Sequence, residues 1–240
     1  MRSELFSAEN LEKESAQPGM RLQNSKMLKI GLNGEAMARV GSMVAYQGQV
    51  QFQALGSGGL GNFLKQKLTG EGVPLMKVTG RGDVFLADFA KDVHVIDLEP
   101  GDALSINGSS VLAFDTTLQY DIRMVNGAGM ASSSGLFNCV FTGHGRIAIT
   151  TKGTPVVLSV DAPTYVDPQA VVCWSANLQT GYHRAEQFGL GTLLGRRTGE
   201  AFTMSFAGQG FVVVQPSEEP PVMGSGSQEQ QGGLLGGLLS

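Results

Sequence analysis

Four bases stand out by their placement. The segment GLGNFLKQKLTGE (59–71) carries Lys65 and Lys67, and GLGTLLGRRTGE (189–200) carries Arg196 and Arg197. Both run Gly-x-Gly, then Asn62 or Thr192, an apolar pair (Phe63/Leu64, Leu193/Leu194), two bases and Thr-Gly-Glu. Asn or Thr ahead of such a run is a helix-start signal, because its side chain accepts from the otherwise unpaired first-turn N–H groups. The spacing predicts about two helical turns in each segment. Ammonium and guanidinium groups at corresponding corners suit the phosphate oxygens of a lipid or a nucleotide. The alternative is a pair of helical plugs whose bases are only solvated. No Gly-Lys-Ser/Thr follows either glycine run, so phosphate-loop chemistry is the weaker reading.

The remaining chemistry-bearing residues do not converge. His94, His144 and His183 occupy inequivalent places, so no metal site is expected. No Ser-His-Asp or Cys-His spacing suggests a nucleophile, and neither enzymatic activity nor a cofactor is predicted. Asp83, Asp88, Asp92 and Asp97 alternate with apolar residues, as on the wet face of a strand. Arg81-Gly82-Asp83 spells an adhesion tripeptide that this context makes incidental. Tyr46, Phe114 and Trp174 could stack on bases. Their matching places in matching strands argue for core instead, and a net charge of -4 gives no pull toward nucleic acid.

The elements that would position these residues come in three copies. TGRGDVFLA (79–87), TGHGRIAIT (142–150) and AGQGFVVVQ (207–215) each place Gly-x-Gly before an alternating apolar run. The glycine pairs begin at Gly80, Gly143 and Gly208, 63 and 65 residues apart. A second marker keeps nearly the same period: GEAMARVGSMVAYQGQVQF (34–52) aligns with GDALSINGSSVLAFDTTLQY (101–120) and with PTYVDPQAVVCWSANLQTGY (163–182), its aromatic falling on Tyr46, Phe114 and Trp174. A dinucleotide fingerprint needs a helix after its glycines, and here a strand follows each time. The glycines are therefore expected to supply positive φ or a bulge.

These markers predict an all-β chain of three internal repeats of about 63 residues. The expected divisions are a lead-in (1–19), repeats over 20–90, 91–153 and 154–216, and a tail (217–240). One such repeat cannot bury both faces of its own sheet, so the three are expected to close about a pseudo-threefold axis into a barrel-like, double-stranded β-helix assembly, with short helices in the connectors.

The middle connector, GAGMASSSG (127–135), lacks the bases of the other two, and the asymmetry marks those two as the candidate binding corners. The tail is linker-like and then ends in GGLLGGLLS, where Leu234, Leu235, Leu238 and Leu239 form an apolar anchor for a groove or partner, or simply fray. Cys139 and Cys173 lie in apolar runs and are expected as buried thiols, a disulfide between neighbouring repeats being the alternative. The amino-terminal stretch has no apolar signal core and is too acidic for a transit peptide. With no window of about 18 apolar residues, a cytoplasmic location is expected.

GSMVAYQGQVQF (41–52), the Thr-Gly-Glu connectors and FAGQGFVVVQ (206–215) together resemble the altered-inheritance-of-mitochondria protein 24 family over roughly residues 20 to 216. The resemblance implies a double-stranded β-helix type fold related to the tryptophan RNA-binding attenuation protein, internally duplicated and tending to trimerise. It carries no catalytic motif. Mitochondrial members of that family are linked to the inner membrane and its organising complex, whereas the leader of this chain suits a bacterial-type cytoplasmic member. The functional expectation is a non-enzymatic, homo-oligomeric scaffold or binding protein, a trimer by preference, that contacts an anionic membrane surface or a protein complex. A small-molecule-binding or catalytic β-barrel is the rival reading, and RNA binding the third.

Overall fold

The computed structural model describes residues 3–14, 17–55, 73–124, 137–184 and 202–217. They form an all-β chain in which only Glu4–Phe6 and Gly108–Ser110 turn as short 3-10 helices.

The first set of strands is β1 (Gly19–Asn24), β2 (Met27–Arg39), β3 (Met43–Ala54) and β4 (Leu75–Leu86). β4 runs between β2 and β3 and pairs antiparallel with both, from Leu28↔Leu86 to Arg39↔Leu75 and from Met43↔Leu86 to Ala54↔Met76. Long strands at such close approach need glycine at the midpoint. Gly80 and Gly82 have φ of 127° and 153°, and a Cβ on either would overlap the carbonyl oxygen of Gln49 or Gln47 on β3. The expectation that Gly-x-Gly serves the backbone therefore holds.

The second set is β5 (Asp92–Leu98), β6 (Ala103–Asn107), β7 (Val111–Asp115), β8 (Gln119–Met124), β9 (Phe137–Thr142) and β10 (Gly145–Thr151). β10 pairs with β5 and β7, while β9 pairs with β6 and β8. The third set is β11 (Val156–Val160), β12 (Thr164–Val166), β13 (Val171–Ser175), β14 (Gln179–Arg184), β15 (Phe202–Ala207) and β16 (Gly210–Val214). β16 pairs with β11 and β13, and β15 with β12 and β14.

Two pairings join the sets: β2 with β7 through Met37↔Phe114, and β6 with β13 through Ser105↔Trp174. The result is a seven-stranded sheet (β3-β4-β2-β7-β10-β5, with β1 on β2), a six-stranded sheet (β11-β16-β13-β6-β9-β8) and a three-stranded sheet (β12-β15-β14). None closes into a barrel, which corrects the closed, barrel-like expectation. The strand order itself is the reason, because among the described residues each path ends on strands paired on one side only. The helices expected in the connectors lie outside the described residues.

Strand periodicity distributes the core. On β10, Ile147 and Ile149 enter a central cluster with Phe114, Phe141, Ile106, Cys139 and Cys173, while Ala148 between them faces a second cluster with Leu28, Val78, Val84 and Leu112. A third cluster gathers Trp174, Phe206, Met204 and Val212. Both faces of the middle strands are thus buried, which explains their nearly continuous apolar runs. Cys139 and Cys173 both pair with Ile106, from opposite sides, so they stand two strand spacings apart, about 10 Å. Both are free and buried, and burial pushes each thiol up to about 12.

Candidate functional site

Lys65, Lys67, Arg196 and Arg197 lie outside the described residues, as do Leu234, Leu235, Leu238 and Leu239. The strands that flank the basic segments close as hairpins, Ala54 opposite Met76 and Arg184 opposite Phe202. The histidines are not brought together: His94 Nε2 lies 2.9 Å from Thr151 Oγ1, and His144 Nδ1 lies 3.2 Å from the Leu98 carbonyl oxygen. Among the described residues no group of three or more His, Cys, Asp or Glu is placed to hold a metal.

Among the described residues, strand edges are open at β3 and at β12. Three aromatic strands can be compared directly. β7 carries Phe114 between β2 and β10, and β13 carries Trp174 between β6 and β16. Among the described strands, β3 carries Tyr46 beside β4 alone. The consequence is a correction to the expected aromatic core. Phe114 and Trp174 are 1% and 4% exposed, with edge-to-face partners Phe141 at 4.9 Å and Phe206 at 5.7 Å, whereas Tyr46 is 49% exposed. Met43 and Val44 on the same edge are also exposed.

The complementary edge lies at the other end of the chain. The strand that covers each aromatic strand comes from the preceding set: the second half of β2 covers β7, and β6 covers β13. β12 holds the corresponding place in the third set, yet among the described strands it pairs with β15 only, and its central Tyr165 is 61% exposed. Among the described residues, then, β3 and β12 each end a sheet, where β7 and β6 lie inside theirs.

Two buried ionic clusters lie elsewhere. Lys29, 1% exposed, meets Glu12 at 2.6 Å, Asp83 at 3.3 Å and the Lys13 carbonyl at 2.7 Å, and its ammonium stands 5.6 Å from the Phe85 ring centre. Gln23 donates to the Leu11 carbonyl and accepts from the Lys13 N–H, so residues 11–13 are strapped over this lysine. These partners satisfy its charge and leave a structural tie. The second cluster surrounds Asp88, which is 9% exposed and meets Lys91 at 3.1 Å, Thr150 at 3.4 Å and Arg39 at 3.6 Å. That corrects its expected place on a wet strand face, since Asp88 sits in the turn after β4. Arg39 also donates to the Val111 and Gly108 carbonyls at 2.7 and 3.0 Å and so clamps the first set to the second. Neither lysine nor aspartate could be singled out from sequence, because each sits in an ordinary polar–apolar alternation.

The open edges make a comparison with known proteins informative. The family model described as mitochondrial biogenesis AIM24 matches residues 20–217. The chain belongs to that family. The match begins at β1 and ends just past β16, so it takes in every described strand. A crystal structure of a protein from Streptococcus pyogenes superposes with a TM-score of 0.64 at 21% identity, covering 84% of this chain and 94% of that one. At that identity the likeness shows the fold alone. No curated protein matches the sequence. Among the described residues no helix is long and apolar enough to cross a membrane.

Proposed function

We propose that this AIM24-family protein is a non-enzymatic scaffold that assembles with copies of itself, three to a ring, and presents the assembled surface to a membrane or a protein complex. The observation that carries the reading is the pair of complementary edges, β3 and β12. We take the three strand sets as three copies of one unit, each covering the aromatic strand of the next. A rule used twice within the chain then has one further use, between chains. The two internal junctions pair Ala36 with Asp115, Met37 with Phe114 and Ala38 with Ala113, then Leu104 with Ser175, Ser105 with Trp174 and Ile106 with Cys173. Carried over to the open edges, the register sets Thr164 opposite Gln47, Tyr165 opposite Tyr46 and Val166 opposite Ala45 of a neighbouring copy. An interface of two different surfaces continues until it closes as a ring, and unpaired edges of exposed apolar residues are otherwise an aggregation hazard.

Native mass spectrometry tests this directly. A trimer is expected from the unmodified chain, and Val44→Lys with Tyr46→Lys should yield monomer. Tyr46→Cys combined with Tyr165→Cys should form a disulfide between copies under mild oxidation. A chain that stays monomeric at micromolar concentration, or a trimer indifferent to the lysine substitutions, would overturn the proposal.

A further inference from the structure

We propose that the outer edge of β11 is a docking strip for the chain's own residues 234–239, which add there as a further strand. The inference stands apart from the ring assembly, because β11 is neither of the edges that the ring would use.

β11 ends the six-stranded sheet, and among the described strands it pairs with β16 only. A strand paired on one side directs every second N–H and C=O outward, where a further strand can meet them. The strand VVLSV carries neither charge nor proline, the residues by which edges usually repel a partner. Val156 is 54% exposed and Val157 65%, and consecutive strand residues point to opposite faces of the sheet. Along the Val156 face, Leu158 and Val160 enter the third apolar cluster, so the exposed valine there is the margin of a packed core. On the other face Val157 stands beside Ser159, which is also exposed. The strip is therefore apolar on both faces.

What covers it is indicated by where the chain goes next. β16 ends with Val214 opposite Val156. The following residues stay close by: the Lys152 N–H donates to the Gln215 side chain at 2.9 Å, and Gly153 lies against Pro216. The chain thus departs at Ser217 near the start of β11. Sixteen residues, 218–233, separate that point from Leu234. A random chain of that length spans roughly 20 Å, and a five-residue strand is about 16 Å long, so the segment reaches either end of the strip. The tether sets a local concentration on the order of millimolar.

The segment LLGGLL also fits by its pattern. In an extended strand Leu234 and Leu238 share one face, and Leu235 and Leu239 the other. One pair would extend the third cluster past Val156, and the other would cover Val157. A helix would turn all four leucines to one side and would have to contain Gly236 and Gly237, which disfavour it. No charge or proline in the segment blocks a backbone ladder. Once docked, it hides an edge that would otherwise accept a strand from another molecule, so a partner of that kind has to displace it.

Amide hydrogen exchange and thiol cross-linking of the full chain test the docking. With Leu234, Leu235, Leu238 and Leu239 replaced together by Ser, exchange across 156–160 should quicken by about tenfold or more, while the β13 amides stay unchanged. In a chain carrying Val157→Cys and Leu235→Cys, mild oxidation should give a disulfide within one molecule. Cys139 and Cys173 are buried and do not compete. Adding Leu234→Ser, Leu238→Ser and Leu239→Ser should slow that bond by about tenfold, which separates docking from chance collision of a tethered thiol. Exchange indifferent to the leucines, equal cross-linking rates, or a disulfide that joins two molecules would overturn the inference. The serine substitutions should leave intact the trimer expected from β3 and β12. Loss of that trimer would assign the leucines to assembly and overturn the docking on β11, whereas a monomeric parent chain with the cross-link formed would sink the ring alone.

Discussion

Phe114 and Tyr46 hold the same place in matching strands, 68 residues apart, yet the first is 1% exposed and the second 49%. Their own strands do not account for this. VLAFD on β7 and MVAYQ on β3 both alternate, and each pairs on one side with the strand that follows the Gly-x-Gly, as Ile147↔Phe114 and Val84↔Tyr46. What differs is the second neighbour. β2 lies across β7, and nothing among the described residues lies across that end of β3. The burial of these two rings is thus set by which strand lies beside each and only weakly by local sequence.

The comparison is most exposed to failure through truncation of the two rings. Phe114→Ala should destabilise the chain by about 3–5 kcal/mol in denaturant unfolding, because it leaves a cavity beside Phe141, Tyr120 and Ile147. Tyr46→Ala, measured at dilution where copies separate, should cost no more than about 1 kcal/mol, the range of surface changes. A Tyr46 cost equal to that of Phe114 in the isolated chain would mean the β3 edge is covered from within. At high concentration the two costs should converge, because assembly stabilises the state in which Tyr46 is covered.

Thiol chemistry sharpens the same contrast with a smaller effect on the molecule. Cys173 adjoins Trp174 on a covered strand, and Ala45 is its counterpart beside Tyr46. With burial pushing the native thiols up to about 12, Cys139 and Cys173 should resist iodoacetamide in the folded chain and react on unfolding. Ala45→Cys should label rapidly at dilution and slow as copies assemble. Labelling that does not depend on concentration would argue against a covering neighbour.

The smallest effect concerns β5, which ends the largest sheet as β3 begins it. Desolvation lowers the pKa of His94, with the nearby Asp92 opposing the shift. A lowered folded-state pKa means the unfolded chain binds the proton more readily, so stability should decline as pH falls through the ordinary histidine range near 6.5. His94→Gln should flatten that part of the thermal-unfolding profile. An unchanged profile would assign the pH dependence to other groups.

The sequence was most legible at its glycines and its alternating runs. The Gly-x-Gly pairs were legible because glycine suits both of their demands: at Gly80 and Gly82 the β3 backbone leaves no room for a Cβ, and Gly143, Gly145 and Gly208 have positive φ. The strand that follows each pair was legible from its period of two. The family was legible from GSMVAYQGQVQF, the Thr-Gly-Glu connectors and FAGQGFVVVQ taken together. The open edges were not. Tyr46, Phe114 and Trp174 look alike in the chain because each satisfies the same local pattern, and only the partner strand across each one distinguishes them. Asp88 and Lys29 were misread or missed for a related reason: an acid or base in an alternating run reads as solvated until long-range partners such as Thr150 or Glu12 arrive.

By itself, then, the chain determined its class, its glycine hinges and the alternation of its strands, since these depend on local sterics and on the periodicity of burial. The tertiary structure alone decided that the three sheets stay open among the described residues, that Phe89 is held out at a strained turn, and that Tyr46 and Tyr165 are exposed on strands that end their sheets. Those outcomes depend on which strand lies beside which, a long-range property that no local pattern of residues encodes.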